Sequence, residues 1–357
     1  MALSSTAGRC LQQLQQRPGD RGALAHLYYL PLAAAEKRLA LDALAELAGL
    51  GRLEQSLSAA QRQRALSSPA ITPMLLALLA LWASELEQEG LDAALRRCLW
   101  ERTVPAERLL PEAPATAEPA SAGPGLLIIG APKSGTTSLA AYLARHREVW
   151  MHPIKELHFF DQRWPLGASW YRQRFPRFEE GLGMLCAEAT PSYLLDGAVP
   201  ARVQRTLGRV KLIALLREPL ERAHSWLRHM RQFTPLPRSD AALLREEAEA
   251  LAGGSGAAHP PVRALEGSLY GRHLQAWRRC FGEDTLLLLR FEDLRDQPEA
   301  VMDRVVHFLQ LPADAAEPPR FPVYNPSSTP AEPLPIDLAR ELRAGVLAEA
   351  LDLWASL

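Results

Sequence analysis

The segment Lys133-Ser134-Gly135-Thr136-Thr137-Ser138 follows directly on the apolar run Leu126-Leu127-Ile128-Ile129-Gly130. That order reads as a buried strand, a tight turn and a helix N-terminus. In such a turn backbone N–H groups converge on an anion, and the helix dipole adds attraction. In the nucleotide triphosphatase pattern G-x-x-x-x-G-K-[ST] a lysine follows the second glycine. Here Thr136 holds that place and the lysine comes three residues earlier, inside the turn. A phosphate cradle with a displaced cation is expected, and it points to a phosphorylated donor other than ATP. An ordinary strand–turn–helix joint with serine and threonine caps is the simpler alternative.

Around this element the chain reads as two regions. Residues 1–102 carry apolar positions at helical spacing, with helices expected over about 5–16, 22–49 (broken near Pro31), 58–67, 72–88 and 90–101. Thr72 is a candidate N-cap for a helix opened by Pro73, whose leucine stripe marks it as the centre of a small all-α domain. Residues 103–124 hold five prolines among alanines and glycines and read as a linker. From 125 to 357 strands expected near 126–130, 148–151, 184–188, 210–216 and 285–290 alternate with helices expected near 136–146, 168–175, 197–207, 219–232, 239–252, 268–280 and 298–309. The uninterrupted apolar runs 212–216 and 286–289 are typical of strands covered on both faces. The expected fold is therefore α/β: a P-loop-like three-layer domain with a central parallel sheet, preceded by a small all-α domain. Thr234 to Pro261, rich in glycine and proline toward its end, reads as a mobile insertion suited to a lid.

Composition narrows the chemistry. A net charge of −1 over 357 residues gives no global field, so neither nucleic acid nor an anionic membrane is an expected partner. The four cysteines form no C-x-x-C pair, and no metal site is expected. No secretory leader is recognisable in residues 1–20 and no apolar stretch is long enough to span a bilayer, which makes the cytoplasm the expected compartment.

Two further constellations bear chemistry. Lys155-Glu156-Leu157-His158-Phe159-Phe160-Asp161 sits after the second strand. A glutamate among apolar neighbours can serve as a general base, and a solvated Lys–Glu pair over a phenylalanine core is the alternative. Arg217 closes the apolar run 212–216, at the strand end where α/β folds bind ligands, with Ser225 about two turns into the next helix. An ATPase places a metal-binding aspartate at such a strand end; an arginine suits direct contact with a second phosphate. Pairing with Glu218 is the plainer role. Arg222, Arg228 and Arg231 read as a solvated helix face, Asp293 as a helix cap, and Tyr270 and Trp277 as core.

In this order the elements resemble the sulfotransferases that use 3′-phosphoadenosine 5′-phosphosulfate, and among them the heparan sulfate glucosaminyl sulfotransferases and their bacterial relatives. The resemblance covers Leu126 to Pro312 and extends to Glu188-Ala189-Thr190-Pro191-Ser192-Tyr193, to Gly267-Ser268-Leu269-Tyr270 and to Leu289-Arg290-Phe291-Glu292-Asp293. It implies that Lys133, Ser134, Gly135, Thr136, Thr137 and Ser138 hold the 5′-phosphosulfate, with Lys133 on the bridging oxygen. Arg217 and Ser225 would bind the 3′-phosphate, Glu156 would be the catalytic base, and His158 and Asp161 match active-site positions. No metal is implied. The implied acceptor is a hydroxyl, or an amine, of a carbohydrate, lipid or carrier-bound metabolite. Ala189 stands where some relatives carry a basic residue, and between Pro312 and Pro330 only Arg320 is basic, which argues against a polyanionic glycan. The helical domain is left open to binding a protein partner or a second copy. A P-loop small-molecule kinase or triphosphatase, or a non-catalytic helical scaffold with a vestigial nucleotide site, are the alternative readings.

Overall fold

The computed structural model describes residues 3–110, 123–178, 182–232, 234–236, 238–253, 262–313, 321–322 and 333–357. They fall into two compact units, Met1–Ser121 with His152–Ile154 and Gln173–Met184, and the remainder.

The first unit is built on six helices: α1 (Ser5–Gln16), α2 (Arg21–Tyr29), α3 (Ala34–Leu47), α4 (Ala59–Ser67), α5 (Pro73–Glu85) and α6 (Glu89–Thr103). Thr72 caps α5 by accepting the Leu75 N–H at 3.2 Å, and Pro73 occupies the first turn, where its missing N–H costs nothing. Every residue from Leu75 to Ala83 is buried, so α5 is enclosed on all sides as its composition requires. A buried ion pair ties the unit together. Asp92 on α6 receives Arg174 through both carboxylate oxygens, at 2.8 and 2.6 Å, and Arg96 at 3.0 Å. Asp92 and Arg174 are each less than 5% exposed. Asp92→Ala strands two guanidinium groups and should destabilise the protein by about 3–5 kcal/mol. Urea denaturation followed by circular dichroism reads this directly, and a loss below about 1 kcal/mol would show the pair to be incidental.

The second unit has a five-stranded sheet of β1 (Leu126–Gly130), β2 (Val149–Met151), β3 (Leu185–Ala189), β4 (Lys211–Leu216) and β5 (Leu286–Arg290), in the order β2-β3-β1-β4-β5. All four pairings are parallel, with Ile128 opposite Ala189 on one side and Ile213 on the other. Its helices are α7 (Thr136–Leu143), α8 (Gly167–Arg172), α9 (Val199–Leu207), α10 (Pro219–Arg231), α11 (Asp240–Leu251), α12 (Tyr270–Phe281), α13 (Phe291–Asp296), α14 (Pro298–Leu309), α15 (Ile336–Ala344) and α16 (Ala348–Ala355). Leu139 and Leu143 of α7 and Val301 and Val305 of α14 pack on Leu126, Ile128, Ile213 and Leu289. Leu127, Ile129 and Leu212, which alternate to the other face, are buried too. Both faces are covered, as the uninterrupted apolar runs demand. Because β1 lies between β3 and β4, the crevice at its C-terminal end is a topological switch point.

Four expectations are corrected. Within the stretch read as a mobile lid, the helix expected near 239–252 is present at Asp240–Leu251, but it is packed and not mobile: Leu243 and Leu244 join the core of α10 and α15, and Glu247 accepts the N–H groups of Ala264 and Glu266 at 2.9 and 2.8 Å. The Gly–Pro stretch 254–261, most of the linker (111–122), and Arg320 lie outside the described residues. Arg222 is no solvated side chain but 1% exposed, donating to Ser268 Oγ at 2.7 Å and to the Ala264 carbonyl. Arg231 is tied to buried Asp240 at 2.8 Å. Asp293 does not cap α13, whose N-cap is Arg290 without a side-chain bond. Tyr270 and Trp277 are core, as expected. Among the described residues no helix is long and apolar enough to cross a membrane.

Candidate active site

The loop between β1 and α7 forms the floor of the crevice. Gly135 sits at φ +83° as the N-cap of α7, and a Cβ there would lie 2.7 Å from the Phe291 ring. Glycine is therefore required twice over, by backbone and by space. Ser134, Thr136 and Ser138 are buried and Thr137 half-buried. The Ser134 hydroxyl is enclosed without a protein partner. Lys133 adopts φ +69°, a left-handed conformation unusual for a side-chain-bearing residue.

The 155–161 loop runs from β2 to a short turn. The Glu156 N–H donates to the Ala189 carbonyl at 2.8 Å, at the tip of β3. Glu156 and His158 are both left-handed, at φ +69° and +53°. With Lys133 they are three of the five non-glycine residues in that region among the described residues. Such conformations cost about 1–3 kcal/mol each and persist where surrounding structure dictates them. Lys155 Nζ lies 2.7 Å from Glu156 Oε1, and His158 Nε2 3.5 Å from Glu156 Oε2. On its other side His158 Nδ1 meets Asp161 Oδ2 at 2.9 Å, and Ser192 Oγ donates to the same oxygen at 2.6 Å.

These contacts set the protonation states. Burial works against both charges, yet the Asp161 and Glu156 hydrogen bonds carry His158 up to about 9, so it is an imidazolium at neutral pH. Burial also opposes the Glu156 carboxylate, but Lys155 and His158 hold its pKa down to about 2. Burial, then the Lys155 charge, lower the pKa of the Lys133 ammonium, while Glu156 supports the charge and Arg228 and Arg217 oppose it more weakly. The fields therefore place Lys133, Lys155, Glu156, Arg217 and Arg228 in one cluster. His229 on α10 belongs to it: burial and the Lys133 charge bring its pKa to about 4, leaving a neutral ring.

Arg217 follows β4 as expected. Its guanidinium lies 5.1 Å above the Phe291 ring, 3.5 Å from Glu221 and 3.5 Å from the Lys133 carbonyl. Glu218, its suggested partner, instead pairs with Arg343 of α15 at 2.8 Å. Ser225 is buried on α10. A preponderance of cations over acids, a glycine-lined helix N-terminus and an enclosed unpartnered serine hydroxyl suit a doubly phosphorylated anion.

A family model for the sulfotransferase domain matches residues 124–320, more than half of the chain. The chain belongs to the sulfotransferase domain family. Heparan sulfate glucosamine 3-O-sulfotransferase 3A1 of Mus musculus is 32% identical over 189 residues, covering 53% of this chain and 46% of that protein. Heparan sulfate glucosamine 3-O-sulfotransferase 6 of Homo sapiens is 33% identical over 200 residues, 54% of this chain and 56% of its own length. The chain thus spans about half the length of the curated relatives it matches. A crystal structure of a sulfotransferase from Alicyclobacillus acidocaldarius aligns with TM-score 0.50 and 25% identity, over 65% of this chain and 94% of that one.

Some members of the cluster in this sulfotransferase domain were not among the residues picked from sequence. Arg228 and His229 lie on α10 about one turn beyond Ser225, and that helical spacing was the available signal. The Lys155–Glu156 pair raised as the alternative reading of the 155–161 motif is present, though partly buried rather than solvated.

Proposed function

We propose that the protein transfers a sulfuryl group from 3′-phosphoadenosine 5′-phosphosulfate to a hydroxyl of a carbohydrate. The observation that carries this reading is a half-buried, left-handed Lys133 at the β1 switch point within the electrostatic reach of an ionised Glu156. The sulfotransferase family uses this donor, and the relatives named above are 3-O-sulfotransferases. In the reaction the bond from sulfur to the bridging phosphate oxygen breaks as a bond forms to the acceptor oxygen. The acceptor proton goes to Glu156, and adenosine 3′,5′-bisphosphate leaves. Lys133 offsets the charge that accumulates on the departing oxygen, by the logic of preorganised electrostatic stabilisation. Ser134, Gly135, Thr136, Thr137 and Ser138 cradle the 5′ end, and Arg217 with Ser225 takes the 3′-phosphate. His158, held charged by Asp161, orients Glu156. A P-loop small-molecule kinase or triphosphatase reading is not favoured, because Arg217 occupies the strand end where such enzymes hold magnesium.

Calorimetry with adenosine 3′,5′-bisphosphate and with ATP–magnesium tests this. Tight binding of the bisphosphate, at least tenfold stronger than ATP–magnesium, is expected; the reverse order would overturn the reading. Mass spectrometry of neutral oligosaccharides, with heparan-type oligosaccharides as the polyanionic comparison, after incubation with the donor then identifies the acceptor by a gain of one sulfuryl group.

A further inference from the structure

The segment Glu188–Tyr193 supplies the mounts for the 155–161 loop. Tyr193 is the centre of this arrangement. Its hydroxyl accepts the N–H groups of Phe159 at 3.0 Å and Phe160 at 3.4 Å, using both lone pairs. The single proton of that hydroxyl must then go elsewhere, and it goes to Glu188 Oε1 at 3.1 Å. Tyr171 donates to the same oxygen at 2.6 Å, and Thr190 Oγ1 donates to Oε2 at 3.0 Å. Glu188 is 1% exposed and Tyr193 fully buried. A carboxyl enclosed in this way is costly unless it does something an apolar side chain cannot.

That something is orientation. Only an acceptor at Glu188 turns the Tyr193 hydroxyl so that its lone pairs face the loop. With the Glu156 N–H fixed on the Ala189 carbonyl and Asp161 fixed by Ser192, the loop is pinned at its first left-handed residue and at the three positions that follow its second. We propose that Glu188 and Tyr193 are positioning residues that hold Glu156 and His158 in their working geometry from beneath. This rests on the sulfotransferase reading given above. Burial raises the Glu188 carboxyl to about 7 against the hydrogen bonds that hold it down, so a glutamine, which keeps an acceptor oxygen, is a fair substitute near neutral pH.

The test reads His158 as a reporter, because its charge depends on Asp161 and Glu156 staying in contact with it. Carbon-13 labelled histidine spectra are titrated for wild type, Tyr193→Phe, Glu188→Leu and Glu188→Gln, with His158→Gln used to assign the signal. Binding of adenosine 3′,5′-bisphosphate is measured in parallel. Tyr193→Phe and Glu188→Leu should lower the His158 pKa by about 1 pH unit or more while bisphosphate affinity stays within about twofold. Glu188→Gln should restore the wild-type titration. If Tyr193→Phe does not fold, Glu188→Leu reports the same link. An unchanged His158 titration in a folded variant overturns the proposal, as does a loss of bisphosphate affinity parallel to the titration change, which marks a general structural role. Failure of the wild type itself to bind the bisphosphate defeats the sulfotransferase reading, and the positioning role with it.

Discussion

Lys133→Ala should lower turnover of the sulfuryl donor by about 10³-fold or more, a loss comparable to removing a charge that acts chiefly in the transition state. The ammonium is taken from a site where burial and the neighbouring Lys155 already penalise its charge. A cation kept in such a place is stabilised most when negative charge develops beside it, which happens on the leaving oxygen and not in the resting enzyme. The loss should therefore fall on kcat, with bisphosphate binding weakened by about tenfold or less. Lys133→Arg should recover little, since a planar guanidinium cannot occupy the same point-charge position. Single-turnover kinetics at saturating donor separate the two effects; a variant with unaltered kcat would remove Lys133 from the chemistry.

Glu156→Gln should cost about 10²–10⁴-fold in kcat and leave donor binding intact, the range typical of losing a general base. The pH dependence of stability carries a second signature. Glu156 has its folded pKa depressed from 4.5 to about 2, so its stabilising contribution is present above 4.5 and is lost as pH falls through about 2. His158 has its folded pKa raised from 6.5 to about 9, so its contribution is complete below 6.5 and is lost as pH rises through about 9. Both are fully expressed between 4.5 and 6.5. Glu156→Gln should flatten the acid limb and weaken the alkaline one, because His158 loses one of its two carboxylate partners. Thermal melts from pH 3 to 10 would show this, and superimposable curves for wild type and variant would contradict it.

Much of the architecture was written in the order of the residues. The expected strands fall within a residue of those observed, and for β1, β4 and β5 the signal was an uninterrupted apolar run, the pattern of a parallel strand flanked by helices. Thr72 with Pro73 announced α5. The helices α15 and α16 went unread, since they earn their burial from Glu218, Glu292 and the α10 surface, which lie far away in the chain. Arg222 was misjudged for the same reason. Its neighbours on α10 suggest solvent, while the carbonyl and hydroxyl that receive it come from 264 and 268. The candidate site divides similarly. Lys133, Glu156, His158, Asp161 and Arg217 stand in short motifs, whereas a contact that tunes them, Ser192 on Asp161, depends on how the 155–161 loop folds over the end of β3.

The left-handed backbone at Lys133, Glu156 and His158 has a consequence for how such a protein changes under selection. Glycine or asparagine would relax each of these positions, so a search for heat tolerance alone is drawn toward replacing them. The same three side chains carry the ammonium, the carboxylate and the imidazolium of the cleft. At these sites durability and turnover pull in opposite directions, and a hardier descendant is expected to gain its margin elsewhere, in the helical unit or the sheet, while leaving the three bent residues alone.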